Sequence, residues 1–214
     1  MAEAPASRSV LLTTAERLIY SPHNYWFALV TDLAGAAALF FFVIRHRSTS
    51  WATPAACITL GFMAWGLLEY VVHRWMLHGR PSMARRSHAR HHADDTALIG
   101  TPGLVAMAAV CVLWTMLSTL FRTEVASPLV FGLYAGYNHY ALVHHWQHRR
   151  HPALTYVRTL ERAHRTHHAQ HTVNYGVTTT LWDRLFGTFQ PPLESGHGAW
   201  PKKRYLPSRF AETR

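Results

Sequence analysis

"ATPAACITLGFMAWGLLEYVVHRWMLH", residues 52–78, is an apolar run that ends in histidines. Residues 52–72 carry one charged residue, Glu69. At about 1.5 Å per residue such a helix is long enough to cross the hydrocarbon core of a bilayer. His73 and His78 follow at once, and "HARHH" (88–92) comes ten residues later. Five histidines thus fall within twenty positions, 73–92, at the end of a membrane-length segment. This pairing of a span with clustered imidazole sets the fold class and the place to look for function.

Three further segments are of the same kind: 24–44, 98–120 and 125–143. Apolar residues make up 49% of the 214-residue chain and charged residues 15%, which favours an integral membrane protein over a soluble one. The expectation is therefore all-α: a four-helix transmembrane bundle with a cytosolic, helical, histidine-rich cap. One domain fills 1–214, divided into an N-terminal segment (1–23), the spans (24–143, with boxes 73–92 between the second and third), a cap (144–190) and a mostly irregular tail (191–214). Asp32 and Glu69 lie inside spans and are expected to face the bundle or an interface.

Lys and Arg orient the bundle. The segment before the first span, the one between the second and third, and the one after the fourth hold 2, 5 and 11 of them. Only Arg45, Arg47 and Arg122 lie on the other side, so both termini and the 73–97 segment are predicted to be cytosolic. A net charge of +10 suits anionic lipid heads or an acidic protein partner. Nucleic acid is excluded because no soluble reading groove is evident. Cys57 and Cys111 sit in apolar runs without a CxxC partner and read as small buried hydrophobes. Residues 1–20 lack the apolar core of a cleaved signal peptide. Arginine outnumbers lysine nineteen to two, which favours a bacterial inner membrane over the endoplasmic reticulum.

Ten histidines map to the predicted cytosolic side: His73, His78, His88, His91, His92, His144, His148, His164, His167 and His168. Residues i, i+3 and i+4 of a helix share a face, so HARHH and HRTHH each offer a three-point claw and HHWQH pairs His144 with His148. The spacing of five in HRWMLH puts its rings about 140° apart on an ideal helix. Those two rings either serve different ions or the helix breaks near Gly79 and Pro81. Neutral imidazole ligates iron, zinc and copper, and ten rings supply about five each for two ions. His23, His46, His139, His145, His151, His171 and His197 are expected to be ordinary structural or surface residues, with His145 the least secure because it adjoins His144.

These residues resemble the fatty acid hydroxylase / sterol desaturase superfamily of membrane di-iron oxygenases. The resemblance rests on "EYVVHRWMLH" (69–78), "HARHH" (88–92), "YALVHHWQH" (140–148), "HRTHH" (164–168) and "NYGVTTTLWDRLFGT" (174–188). The four-residue gap in HRWMLH, the three-residue gap between His144 and His148, and the tyrosine opening the third box place it nearest the fatty acid 2-hydroxylases. It implies two iron ions held by the ten histidines above, with zinc able to substitute in purified protein, and O2 as co-substrate. It also implies hydroxylation of a C–H bond in a lipid acyl chain, fatty acid or sphingolipid, with C2 among the candidate carbons. Eukaryotic 2-hydroxylases often carry an N-terminal haem-binding electron-transfer domain. The short start here has no room for one, so an external donor protein, ferredoxin- or cytochrome-like, is expected.

Scarce carboxylates near the boxes are candidates to orient the ligand rings through their second nitrogens. Glu69, Glu161 and Asp183 are the main ones, and Asn174 and Tyr175 are similar. Trp65, Trp75, Phe131 and Trp146 line an acyl channel or form interfacial belts. Competing readings are a sterol or carotenoid hydroxylase, a lipid desaturase, and a metal-binding or metal-transporting membrane protein.

Overall fold

The structure is a computed structural model that describes residue 14 and residues 16–47, 50–149 and 154–191. The expected tail beyond residue 191, the first thirteen residues, His151 and His197 lie outside the described residues. Ser21 opens helix α1 (Pro22–His46): its hydroxyl accepts from the Asn24 amide, and Pro22 sits in the first turn, where its missing N–H costs nothing. Helix α2 (Ala52–Val71) runs without a break into a π-helical turn, Val72–Leu77. Then come α3 (Met83–Ala93), α4 (Gly103–Leu120), α5 (Thr123–Arg149), α6 (Thr155–Ala169) and the short α7 (Leu181–Leu185). The described residues contain no strand, in keeping with the all-α expectation.

Three segments are long and apolar enough to cross a membrane: Pro22–His46, Ala52–Leu77 and Gly103–Leu120. The expectation of four apolar spans is corrected here, because α5 falls short of that apolarity. Its position explains the difference. Helix α5 packs against α1, α2 and α4 and buries Ser127, Tyr134, Asn138 and Gln147. A helix enclosed by protein does not need the apolar surface of one facing lipid. Only Phe121 and Arg122 separate α4 from α5, so α5 folds back along α4 through the same slab. The third apolar segment also starts later than expected, at Gly103 rather than 98, after Pro102.

Lipid takes the place of water around this bundle. Leu104, Val105, Val112, Met116 and Leu120 of α4 are all exposed, as are Phe27, Val30 and Phe41 of α1. Cys111 is exposed on α4, which corrects the expectation that it is buried. Its small apolar side chain is as well suited to lipid as to a core. Asp32 and Glu69 are buried, 3% and 4% exposed, so both face the bundle. Trp75 and Trp146 are exposed at its histidine end, as belt residues are.

With lipid outside, helices gain little from hiding apolar surface and associate through close packing of small residues. The α2–α5 crossing is built this way. A Cβ on Gly61 would meet the Leu129 carbonyl at 2.2 Å, one on Gly132 the Ile58 carbonyl at 2.2 Å, and one on Gly136 the Trp65 Cβ at 2.5 Å. These contacts are with backbone or with a ring stem, so they cannot yield. The crossing sets where the π-helical turn after α2 and the end of α5 meet. Replacing Gly132 by Leu is expected to force the helices apart and destabilise the bundle by about 1–3 kcal/mol or more. The check is the thermal midpoint of the detergent-solubilised protein followed by size-exclusion chromatography.

Candidate metal centre

Four local devices bring the histidines to one end of the bundle. The π-helical turn carries His73 and leads into His78, with the His78 amide donating to the His73 carbonyl at 3.2 Å. A π-helix closes its bonds over five residues instead of four, so these rings return to the same side despite their spacing. Helix α3 starts at Ser82, whose hydroxyl accepts from the Arg85 amide at 3.1 Å, and presents His88, His91 and His92. The last turns of α5 present His144 and His148. Helix α6 is amphipathic and buries Val157, Leu160 and Ala163 along with His164, His167 and His168.

All ten predicted histidines meet, in two abutting groups. His73, His78, His88, His92 and His167 form the first, with one ring nitrogen from each lying within 4.8 Å of the others. His91, His148, His164 and His168 form the second on the same measure. His144 joins it through an Nε2–Nε2 distance of 3.2 Å to His148. The groups touch where His92 stacks on His168 with ring centroids 4.2 Å apart.

The claws are divided between groups. On α3, His88 and His92 (i, i+4) point into the first and His91 into the second. On α6 the choice is reversed, with His164 and His168 in the second and His167 in the first. Both helices therefore cross-link the two groups. The idea that His73 and His78 serve different ions is corrected: both enter the first group, because the widened turn removes the angular offset of an α-helix. His144 is separated from His145, whose Nδ1 is hydrogen-bonded to the Tyr25 hydroxyl at 2.8 Å.

The donor set suits metal ions. In the first group Nε2 atoms approach at 2.9 Å (His73–His88, His88–His92), 3.0 Å (His78–His88), 3.1 Å (His78–His167) and 3.2 Å (His92–His167). His88 Nε2 thus has three Nε2 neighbours, yet a neutral imidazole has a single N–H. Hydrogen bonds cannot satisfy this arrangement, whereas one cation can accept all the lone pairs. Two nitrogens about 2.1 Å from one ion lie about 3.0 Å apart at a right angle and about 3.4 Å apart at the tetrahedral angle. The observed spacings fit the right angle. In the second group, His91 Nε2 is buried without a hydrogen-bond partner, at the same end as the lone pairs of His148, His164 and His168.

Electrostatics keeps these rings uncharged. Burial, reinforced by neighbouring imidazoles, holds His92, His148 and His167 down at about 2. Burial, with His171 and Arg85 nearby, lowers His78 to about 4. His88, His91 and His164 are pushed well below the usual imidazole range by burial first and other histidines second, and His168 is shifted the same way. Charging any of these rings would require desolvating a cation among others.

Backbone carbonyls take the role expected of carboxylates. His73 Nδ1 is hydrogen-bonded to the Tyr175 carbonyl and His167 Nδ1 to the Val173 carbonyl at 2.8 Å. A carbonyl only accepts, so both rings carry their proton on Nδ1 and aim a lone pair from Nε2. Among the described residues, Glu69 and Asp183 bond neither ring and instead hold the loop supplying those carbonyls. Glu69 accepts from the amides of Val177 and Thr178 and from the Thr178 hydroxyl. Asp183 accepts from the amides of Tyr175 and Gly176, each at 2.8 Å, and from the Thr188 hydroxyl. Asn174, at φ 51°, donates to the Ala163 and Gln190 carbonyls and accepts from the Gln190 amide. Tyr175 contributes its carbonyl and a ring 5.5 Å from that of His167. Glu161 pairs with Arg165 one turn along α6, so its expected role on a ring is corrected to an ion pair.

Two contributors escape the sequence. Gln147 donates to the Val177 carbonyl at 3.0 Å and adds a third tie to the loop; it lies one residue before His148, the only hint available. His171, expected to be an ordinary residue, has its ring 4.4 Å from His92 and bonds the His168 carbonyl. Its place three residues after His168 was a usable signal.

Known proteins are similar to this chain. The profile described as fatty acid hydroxylase matches residues 58–188. Dihydroceramide fatty acyl 2-hydroxylase FAH2 of Arabidopsis thaliana is 25% identical over 173 residues, spanning 76% of this chain and 73% of the relative. Fatty acid 2-hydroxylase of Rattus norvegicus is 28% identical over 199 residues, 86% of this chain but 52% of the rat enzyme. A solved structure of full-length scs7p, in which only the hydroxylase domain is visible, superposes with a TM-score of 0.69 at 21% identity, covering 86% of this chain and 72% of that one, a likeness of fold. The matched profile spans more than half of the residues and includes all ten clustered histidines. The chain belongs to the fatty acid hydroxylase family.

Proposed function

We propose that the protein is an O2-dependent di-iron hydroxylase of lipid acyl chains, acting at C2 of a fatty acid or of a sphingolipid acyl group. The observation that carries this reading is the convergence of ten imidazoles into two abutting lone-pair clusters at one end of a membrane bundle. His73, His78, His88, His92 and His167 would hold one ion, and His91, His144, His148, His164 and His168 the other. Iron in such a site supplies an oxidant, derived from O2, strong enough to attack an unactivated C–H bond, which no side chain provides.

The chain's own residues supply position. Tyr175 and Val173 fix the proton of His73 and His167 on Nδ1, and Glu69, Asp183 and Gln147 fix the loop bearing those carbonyls. In this reading an acyl tail reaches the clusters from lipid while its polar head stays near water, so depth in the bilayer selects the carbon that reacts. Relatives named for 2-hydroxylation support C2, next to the head. The excess of Lys and Arg on the histidine side supports a cytosolic site that receives electrons from an external ferredoxin- or cytochrome-like protein. A transporter would place its ligands near the bilayer midplane between broken helices; here they gather at one end of continuous helices, which favours an enzyme.

Purified protein is expected to hold two metal ions per chain by elemental analysis, with zinc able to fill sites meant for iron. His88→Ala or His92→Ala should lose the first ion and His164→Ala or His168→Ala the second, while His139→Ala keeps both. Lipid extracts from cells expressing the protein should contain an acyl species heavier by one oxygen, absent with each of these four variants. Full activity in two of the four would overturn the assignment. Asp183→Asn should weaken metal retention about 10–100-fold, read by chelator competition, because it loosens the loop that orients His73 and His167.

A further inference from the structure

A line of aromatic rings leads from the second histidine group into the bundle. Tyr140 stacks on His144, with centroids 5.6 Å apart and planes 8° apart. Trp65 of α2 lies 6.2 Å from Tyr140 and 5.3 Å from Tyr137. Tyr137 stacks on Tyr134 at 6.1 Å. Each step is within the range of ring contact. The three tyrosines recur every third residue along α5 in "YAGYNHY" (134–140), so they share a face.

The far end is an acid. The Tyr134 hydroxyl donates to Asp32 Oδ1 at 2.8 Å, and both residues are 3% exposed. An ionisable group deep in a membrane span is costly and marks function by default. Packing alone would be served by an amide, or by Phe and Leu. Trp65 points the same way: its indole N–H is buried without a partner, a cost that phenylalanine would avoid. Besides a polar hydrogen, tyrosine and tryptophan share a property that phenylalanine lacks, which is ready loss of one electron.

We propose that Tyr140, Trp65, Tyr137 and Tyr134 form a one-electron relay, ending at Asp32, that drains oxidising equivalents from the metal centre when no acyl chain is in place. The inference rests on the oxygenase reading above. In one relay event Tyr134 loses an electron, which passes ring to ring and reduces the oxidised metal centre by one. The phenolic proton moves to the Asp32 carboxylate. The products are a neutral tyrosyl radical and a carboxylic acid. An electron from the external donor protein and return of the proton restore Tyr134. The damage of an unspent oxidant is thereby moved away from the histidine ligands, by about ten residues of helix or about 15 Å.

The test uses the full chain, loaded with iron, reduced, and exposed to O2 without lipid substrate. Freeze-quenched samples are examined by electron paramagnetic resonance, and oxidised residues are mapped by mass spectrometry after repeated exposures. Wild type should show a radical whose signal narrows with ring-deuterated tyrosine. Asp32→Asn should lose that signal and accumulate oxidised Trp65, Tyr140 and histidine ligands, whereas Tyr134→Phe should move the radical to Tyr137, whose side chain also bonds Asp32. Trp65→Phe, which keeps a ring in place, should confine the radical to Tyr140. All three should keep their metal, and Tyr134→Phe and Asp32→Asn should keep their substrate-coupled hydroxylation. A wild type that hydroxylates lipid but forms no tyrosyl radical would overturn the relay and leave the oxygenase standing. So would variants whose signal and damage map match wild type. Protein that binds no metal would remove both.

Discussion

A neutral imidazole has one N–H to give and one lone pair to offer, and this limit governs the rest of the molecule. His73 and His167 spend their N–H groups on carbonyls of the 173–175 loop. Their Nε2 atoms are left as lone pairs, facing other Nε2 atoms about 3 Å away. Such a cluster repels itself unless a cation lies within it. Burial makes the alternative of protonating the rings costlier still. The bundle's geometry is best understood as the framework that holds this otherwise unfavourable arrangement together.

That framework works at two distances. Close to the rings, the 173–178 loop orients two of them through its carbonyls. Glu69, Asp183 and Gln147 orient the loop in turn, from α2, α7 and α5. The carboxylates are thus one step removed from the clustered histidines, and their charge is spread over backbone amides that bind it well. Farther away, the glycines of the α2–α5 crossing let two backbones approach within side-chain-free distance. In lipid this contact replaces the hydrophobic effect as the source of helix association. Two histidine-bearing segments, the π-helical turn and the end of α5, emerge from that crossing, so its register sets theirs.

The polar groups inside the spans belong to the same economy of function over stability. Asp32 and Tyr134 join α1 to α5 where two apolar residues would serve packing as well. The tyrosines, Trp65 and His144 form one contiguous set of rings, which ties the apolar interior to the histidine end chemically as well as mechanically.

Sequence by itself determined what depends on short-range periodicity and on solvent. Apolar runs of membrane length specified helices because a backbone in lipid must satisfy its own hydrogen bonds. Spacings of four specified the pairs His88–His92, His144–His148 and His164–His168, since the pitch of a helix is local. Only the tertiary structure decided which pair meets which. It sent His91 and His167 across to the opposite groups, turned His145 toward Tyr25, and widened one turn so that His73 and His78 converge. It also gave the second-nitrogen role to backbone carbonyls, which every residue possesses and no residue type announces. Helix α5, counted with the apolar spans from sequence, falls short of their apolarity for the same reason: enclosure by neighbours, a property of packing, had already relieved it of the need to face lipid.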